Sequence, residues 1–371
     1  NFRIFMFYVN CIFIKIFITP IVKVSSKKEN LIFYNNDDYD KWKKKNDHSN
    51  WKIKYYKGLG TNTAVEAKEY FSNLDKHIVH MVWTDNSSDS IKLGFSKALA
   101  ENRKQWLKKY DSSSQNKYDT QKLTYHNFIH KELIHFSNYD NIRSIPNMID
   151  GLKPSQRKVL YSAFKRDLKN EIKVAQFVGY ISEHTSYHHG EVSLSNTIIN
   201  MAQNFVGSNN INLLEPKGQF GTRLLGGKDH SSPRYIFTQL NKITRYIFRK
   251  EDDDILEYLN DDGIKIEPKF YVPIIPLILI NGSEGIGTGY STYIPKHNPI
   301  DIINAIKNKL QDKKINEIKP WYRNFTGNIV KTSKDTYITK GIYDNDNDNN
   351  VITIKELPIG TWTDRYREII T

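Results

Sequence analysis

A mixed α/β chain of several domains is what this sequence predicts, on three observations. Its 371 residues suffice for two or three separate cores. Short apolar runs of strand length recur among stretches whose apolar residues keep helical spacing. A polar run from Asp111 to Thr120 reads as a surface linker between an α/β-patterned first part and a more helical second part.

In chain order, residues 17 to 85 read as the tail of an α/β unit. Strands are expected at Ile18 to Val24, Leu31 to Tyr34 and Lys52 to Tyr56, the last feeding the glycine turn Lys57-Gly58-Leu59-Gly60, with a helix at Ala64 to Phe71. Residues 86 to 135 form a helical linker in which Leu93, Phe95, Leu99 and Trp106 stripe a helix from Ile91 to Lys109, with Arg103 and Lys104 projecting elsewhere. In residues 136 to 275, Pro154 suits the first turn of a helix that buries Val159, Leu160, Ala163 and Phe164 and leaves Arg157, Lys158, Lys165 and Arg166 as a basic face. A second helix, Glu191 to Phe205, buries Leu194, Ile198, Ala202 and Phe205, with Gly207 as its C-cap. His189 and Gly190 then stand at its start, where unpaired N–H groups and a partial positive charge suit a phosphate. The run Ile274 to Ile280 reads as a buried strand leading into residues 276 to 371, where a glycine-rich stretch, Gly282 to Gly289, and a strand at Val351 to Ile354 follow.

A net charge of +13 and a pI near 9.3 suit a polyanionic partner. Cys11 is the only cysteine, so no internal disulfide forms and a reducing compartment is the default. Phe5 to Val22 is rich in Phe, Ile and Val, but Asn10, Lys15 and Pro20 interrupt it, and the remaining apolar run is too short to span a bilayer.

The segment Ser232-Pro233-Arg234-Tyr235-Ile236-Phe237-Thr238 sets a tyrosine beside an arginine, after a loop rich in glycine and cations. That pairing is what attack on a phosphodiester needs. A phenol with a pKa of about 10 is a poor nucleophile unless a base takes its proton and a fixed cation meets the charge growing on phosphorus. Upstream stand Gly151-Leu152-Lys153-Pro154-Ser155-Gln156-Arg157-Lys158, Ser186-Tyr187-His188-His189-Gly190-Glu191, Gln203-Asn204-Phe205-Val206-Gly207-Ser208-Asn209-Asn210 and Lys217-Gly218-Gln219-Phe220-Gly221-Thr222-Arg223. In this order and spacing they closely resemble the DNA-cleaving core of the eukaryotic DNA topoisomerase II family. Tyr55-Tyr56-Lys57-Gly58-Leu59-Gly60-Thr61 resembles the end of that family's Toprim domain, and Pro273-Ile274-Ile275-Pro276 with Ile280-Asn281-Gly282 resembles the segment after its tyrosine. The eukaryotic branch is favoured because Toprim-like and tyrosine-bearing segments share one chain and no proline splits His188-His189.

The resemblance implies a fragment with a partial Toprim α/β unit (17 to 85), a winged-helix domain (136 to 275) and the start of an α+β tower domain (276 to 371), behind a divergent apolar N-terminus (1 to 16). It implies that Tyr235 attacks DNA and becomes joined to a 5′-phosphate, that Arg234 stabilises the transition state, and that His189 and Arg157 act as a proton acceptor or hydrogen-bond partner and a phosphate clamp. Lys153, Tyr187, Ser193, Arg103 and Lys104 match DNA-contacting positions, for whose charged members an ordinary solvated face is the alternative. Ile286 matches a wedge that bends double-stranded DNA, with a buried isoleucine as the alternative. The family acts as a nuclear homodimer using Mg²⁺ and ATP to pass one duplex through another.

Residues 1 to 16 stand where the family carries its acidic metal-binding motif, and no nucleotide-binding domain is found, so neither Mg²⁺ nor ATP has ligands in this chain. The isolated chain is therefore expected to bind DNA and cleave it poorly. Asp344, Asp346 and Asp348 alternate like a calcium loop, but Asn349 and Lys355 replace its glycine and glutamate, leaving a solvated turn. Gly285-x-Gly287-x-Gly289 lacks dinucleotide spacing. Two other classes remain: a non-enzymatic winged-helix DNA binder, which gives Arg234-Tyr235 no task, and a tyrosine recombinase, which would hold the opposite DNA end.

Overall fold

The chain divides into two compact units, each with its own internal contacts. The computed structural model describes residues 14–371 other than 57–60, 117, 119, 120, 188 and 262. The glycine turn Lys57-Gly58-Leu59-Gly60, His188 of the expected histidine pair and most of the divergent N-terminus with Cys11 lie outside the described residues. The first unit runs to Asp140 and includes Thr288–Tyr290; the second is Asn141–Gly287 and Ser291–Thr371.

In the first unit the strands are β1 (Lys15–Phe17), β2 (Val22–Ser25), β3 (Asn30–Phe33), β4 (Lys52–Tyr55), β5 (Ile78–Val82) and β6 (Lys122–Thr124). They make two three-stranded sheets, ordered β3-β2-β4 and β1-β5-β6, in which only β5 and β6 pair in parallel. The strand expected from Ile18 to Val24 is split: β1 ends at Phe17 and β2 begins at Val22, either side of Pro20, which has no N–H to give a ladder. Val22 and Val24 face the core with Tyr39 while Lys23 points away.

Helices α1 (Asn36–Lys45), α2 (Ala64–Ser72), α3 (Ser87–Phe95) and α4 (Ala100–Lys108) belong to this unit, and α5 (Ile134–Ser144) begins in it, its last residues from Asn141 counting with the second unit. The single helix expected from Ile91 to Lys109 is broken at Ser96, whose extended backbone is followed by the 3-10 turn Lys97–Leu99. Arg103 turns inward to satisfy carbonyls at the break, with Nε donating to Leu93 O (2.9 Å) and Nη2 to Ser96 O (2.8 Å). The expected surface linker is also partly inside. Asn116 is buried and, with Tyr118, donates to the Glu132 carboxylate at 2.9 and 2.8 Å.

The second unit contains α6 (Pro154–Lys165), β7 (Ile172–Lys173), α7 (Val174–Thr185), α8 (Glu191–Ala202), β8 (Leu214–Lys217), β9 (Phe237–Leu240), β10 (Tyr258–Asp261), β11 (Ile264–Pro268), β12 (Ser283–Ile286), β13 (Ser291–Ile294) and α9 (Pro299–Leu310). Two hairpins, β14 (Asn328–Ser333) with β15 (Thr336–Lys340) and β16 (Ile342–Asp346) with β17 (Val351–Glu356), precede α10 (Thr363–Ile370). Leu160, Phe177, Ile181, Leu194, Ile198 and Leu214 pack α6, α7 and α8 against the sheet β7-β9-β8 as one core.

Three expectations need correction here. Arg157 and Lys158 are not a solvated basic face, because buried carboxylates hold them: Arg157 pairs with Asp150 at 2.8 Å and Lys158 with Glu267 at 2.9 Å. Helix α8 stops at Ala202, and Gln203 instead uses its side-chain amide to reach the carbonyls of Phe220 (2.9 Å) and Gly227 (3.1 Å), so Gly207 caps nothing. The apolar run before Gly282 is not a strand; Leu277–Ile280 makes one buried helical turn after Pro276. The aspartate run does form a hairpin turn, with Asp346 accepting from the N–H groups of Asp348 and Asn349 at 3.1 and 3.2 Å.

Glu66 sets a pH limit on the first unit. Burial alone would raise its carboxyl, but hydrogen bonds from Lys54, Thr63 and Tyr56 outweigh burial and bring it down to about 2 from 4.5. A carboxyl depressed by folding stabilises the fold above its unfolded pKa, and that contribution fades as pH falls from 4.5 toward 2. Protection of the amides of residues 63–72, taken relative to free-peptide exchange at each pH, is expected to fall across that window, with a smaller pH dependence in Glu66→Gln. Equal pH dependence in both proteins would rule the mechanism out.

Candidate functional site

Tyr235 is presented by backbone rather than by a pocket. Strands β8 and β9 pair antiparallel, Lys217 opposite Phe237, and the intervening loop ends in a turn where Tyr235 N donates to Ser232 O at 2.9 Å. The first N–H groups of α7 lack helical partners. Those of Val174 and Ala175 are met by the carbonyls of Ile236 and Pro233, each at 3.0 Å, which pins the loop on both sides of Arg234-Tyr235. Ile236 goes into the core, and Tyr235, in the turn just before β9, is 70% exposed. The exposed Arg234 guanidinium lies 5.6 Å from its ring centroid.

The rest of the loop is equally determined. Thr222 N and Oγ1 donate to the Asp229 carboxylate at 2.8 and 2.6 Å, and Arg223 pairs with Glu356. Gly221, at φ +92°, passes so close to Gly227 that a Cβ there would sit 2.5 Å from its carbonyl oxygen.

His189 is exposed one residue before Gly190, the N-cap of α8, and its ring meets Tyr187 edge-on at 5.5 Å. Ser193 is exposed on the first turn of α8, while Tyr187 is half-buried against the core. Arg157 belongs to a different environment. It is 5% exposed, and its Nη2 donates to Asp150 Oδ1 (3.2 Å) and Leu152 O (3.0 Å) besides the Nε contact. Asp150 is fully buried and also accepts from Leu152 N (2.9 Å) and Tyr271 N (3.0 Å). This carboxylate went unnoticed in the sequence, although it directly precedes Gly151-Leu152-Lys153. It shapes the loop from which Lys153 lines a cavity of about 340 Å³, bordered also by Asn200, Ser283 and Lys296. None of Arg157, His189, Arg234 and Tyr235 lines that cavity.

Ile286 stands at the end of β12, 77% exposed. Its glycine neighbours serve the protein side: a Cβ on Gly285 would lie 2.3 Å from Ser144 O, and one on Gly287 2.2 Å from Asn141 Oδ1. The backbone thus lies flat against residues 141–144 of the same unit, and alternation turns Ile286 away from them. In the first unit, Arg103 is buried as described, and Lys104 pairs with Glu101 at 2.6 Å and lies 5.9 Å from the Tyr290 ring. Among the described residues no group of three or more His, Cys, Asp or Glu side chains could hold a metal ion.

Two family models match the chain: the C-terminal associated domain of TOPRIM over residues 17–141, and the A-subunit family of DNA gyrase/topoisomerase IV over residues 143–371. DNA topoisomerase 2 of Plasmodium falciparum is 53% identical over 360 residues, 96% of this chain and 26% of that protein. The chain belongs to the type II DNA topoisomerase family. DNA topoisomerase 2 of Saccharomyces cerevisiae is 51% identical over 95% of this chain and 25% of its own length. A crystal structure of the Plasmodium falciparum topoisomerase II DNA-binding, cleavage and re-ligation domain superposes with a TM-score of 0.80 at 52% identity, covering 96% of this chain and 49% of that one. The chain spans about a quarter of the length of the curated relatives it matches. Among the described residues no helix is long and apolar enough to cross a membrane.

The Asp150 pair carries a stability expectation. Removing one partner of a buried ion pair typically costs about 3–5 kcal/mol, because the other charge is left unmatched. Asp150→Ala is expected to lose that much in denaturant unfolding followed through the second unit. A loss below about 1 kcal/mol would contradict the pairing described here.

Proposed function

We propose that Tyr235 is the nucleophile of a reversible DNA break. Its phenolic oxygen attacks a backbone phosphorus, the bond from phosphorus to the 3′-oxygen breaks, and that oxygen leaves as a hydroxyl after gaining a proton. The 5′-phosphate stays on the tyrosine. Because one ester replaces another, the hydroxyl can reverse the reaction and reseal the strand without an outside energy source. The observation that carries this reading is the outward Tyr235 on a backbone fixed by α7, with the Arg234 guanidinium 5.6 Å from its ring.

His189 serves the same phosphate from the start of α8, as hydrogen-bond partner or proton acceptor. Arg157 acts differently from a direct phosphate clamp: through Asp150 it holds the Gly151–Lys153 loop, and Lys153 meets DNA. Tyr187, Ser193, Lys104 and the wedge Ile286 add further contacts to duplex DNA, and Arg103 supports the turn before Lys104. Residues from 17 to 85 are read as Toprim-derived, 86 to 135 as a helical connection, 136 to 275 as the winged-helix domain and 276 to 371 as the start of the tower. In the whole protein this segment serves ATP-dependent passage of one duplex through another by a homodimer, which relaxes and decatenates nuclear DNA. Mg²⁺ would there supply Lewis-acid help from ligands outside the described residues, and the purified chain is expected to bind DNA but cleave it weakly.

Tyr235→Phe is expected to bind DNA as the parent does and to give no protein-linked DNA after denaturation, since the substitution removes only the nucleophile. A covalent band from that variant would defeat the assignment. Lys153→Gln is expected to weaken binding to all sequences alike and to lower the slope of log affinity against log salt by about one. An unchanged slope would remove Lys153 from the DNA contact.

A further inference from the structure

We propose that Asn210 is a positioning residue that clamps both feet of the β12–β13 hairpin and so aims Ile286 at DNA. The inference rests on the wedge role given to Ile286 above. Hairpins with only two strands are marginal by themselves and take their direction from what holds their ends. Here Asn210 holds both. Its side chain is 5% exposed, and Nδ2 donates to Ile280 O (2.9 Å), just before β12, and to His297 O (3.1 Å), just after β13. Nδ2 also lies 3.1 Å from Trp321 O, so its two hydrogens are shared among three carbonyls, while Oδ1 accepts from Arg323 N (2.9 Å). One buried amide thus joins the two hairpin feet and the segment behind them, with both its donor and its acceptor ends engaged.

Neighbouring contacts reinforce the same base. Asn281 forms a reciprocal pair with Ile211, accepting from its N–H and donating to its carbonyl, both at 2.8 Å. Lys296 Nζ donates to Gly207 O at 3.1 Å. At Gly282, φ is +65° and a Cβ would fall 2.5 Å from Ile294 O, so the feet cross more closely than any side chain allows. Residues 207–211 follow α8, whose start carries His189. A rigid path therefore runs from the phosphate-facing end of α8, through Asn210, to the hairpin that presents Ile286.

Rigidity is what a wedge needs. Inserting an apolar side chain between base pairs requires them to unstack, and a hairpin free to swing away would escape that cost. Asn210 should accordingly influence the bend in DNA without touching DNA. A duplex of about 30 bp, labelled at both ends, reports that bend by energy transfer at saturating protein. Three variants of the chain are compared with the parent: Ile286→Ala, Asn210→Ala and Asn281→Ala, each also checked by thermal unfolding.

The expected result is loss of the bending signal in all three, with the Asn variants still folded and still binding DNA. If Ile286→Ala abolishes bending while a folded Asn210→Ala retains it, the clamp is wrong and the wedge stands. If Ile286→Ala bends DNA as the parent does, the wedge reading fails and the clamp falls with it. Should Asn210→Ala not fold, Asn281→Ala decides: retained bending overturns the proposal and lost bending upholds it.

Discussion

Two hydrogen bonds at the start of α7 carry the most weight in this structure. A helix must find partners for its first N–H groups, and here the carbonyls of Ile236 and Pro233 provide them. That local need fixes the backbone on both sides of Arg234-Tyr235. With Ile236 drawn into the core, the tyrosine has only the outward direction left. In the role proposed for Tyr235, a phenol on a backbone held this way gains as a positioned nucleophile does over a mobile one. The neighbouring loop follows the same rule: Thr222 with Asp229 and Gln203 with two carbonyls leave little of its backbone unsupported.

Charge in the second unit is divided between inside and outside. Arg157 and Lys158 sit on the helix that also starts with the Lys153 loop, yet both are neutralised by buried carboxylates. Burying an unpaired cation is costly, and Arg157 and Lys158 are each matched by an acid. Arg234 is left facing solvent, available to an anion. The net +13 is what remains once such pairs have cancelled, and where the remaining cations stand matters more than their number.

Much of this was legible beforehand, and the failures share a cause. Helical spacing located α6 and α8 because their apolar positions Val159, Leu160 and Ala163, and Leu194, Ile198 and Ala202, are one-sided. The order of motifs around Tyr235 carried the family. What misled was context. Leu277–Ile280 is apolar throughout, and a short fully buried run has the same pattern whether strand or helical turn. The break at Ser96 depends on Arg103 reaching back to satisfy freed carbonyls, a tertiary contact with no periodic signature. The bonding of Asp150, and of Asn210 within its motif, was invisible for a related reason: a polar residue bonded to distant backbone looks, in sequence, like any polar residue beside a glycine or an asparagine.

The central claim is that the oxygen of Tyr235 holds one defined DNA end. Duplex DNA labelled separately at each terminus, incubated with the intact topoisomerase that contains this segment and then denatured and digested with protease, tests it by mass spectrometry of the surviving peptide. The account predicts a peptide containing Tyr235 joined to a 5′-phosphate, with the 3′-hydroxyl free. A 3′-phosphotyrosyl linkage, or a linkage at any other residue, would contradict it.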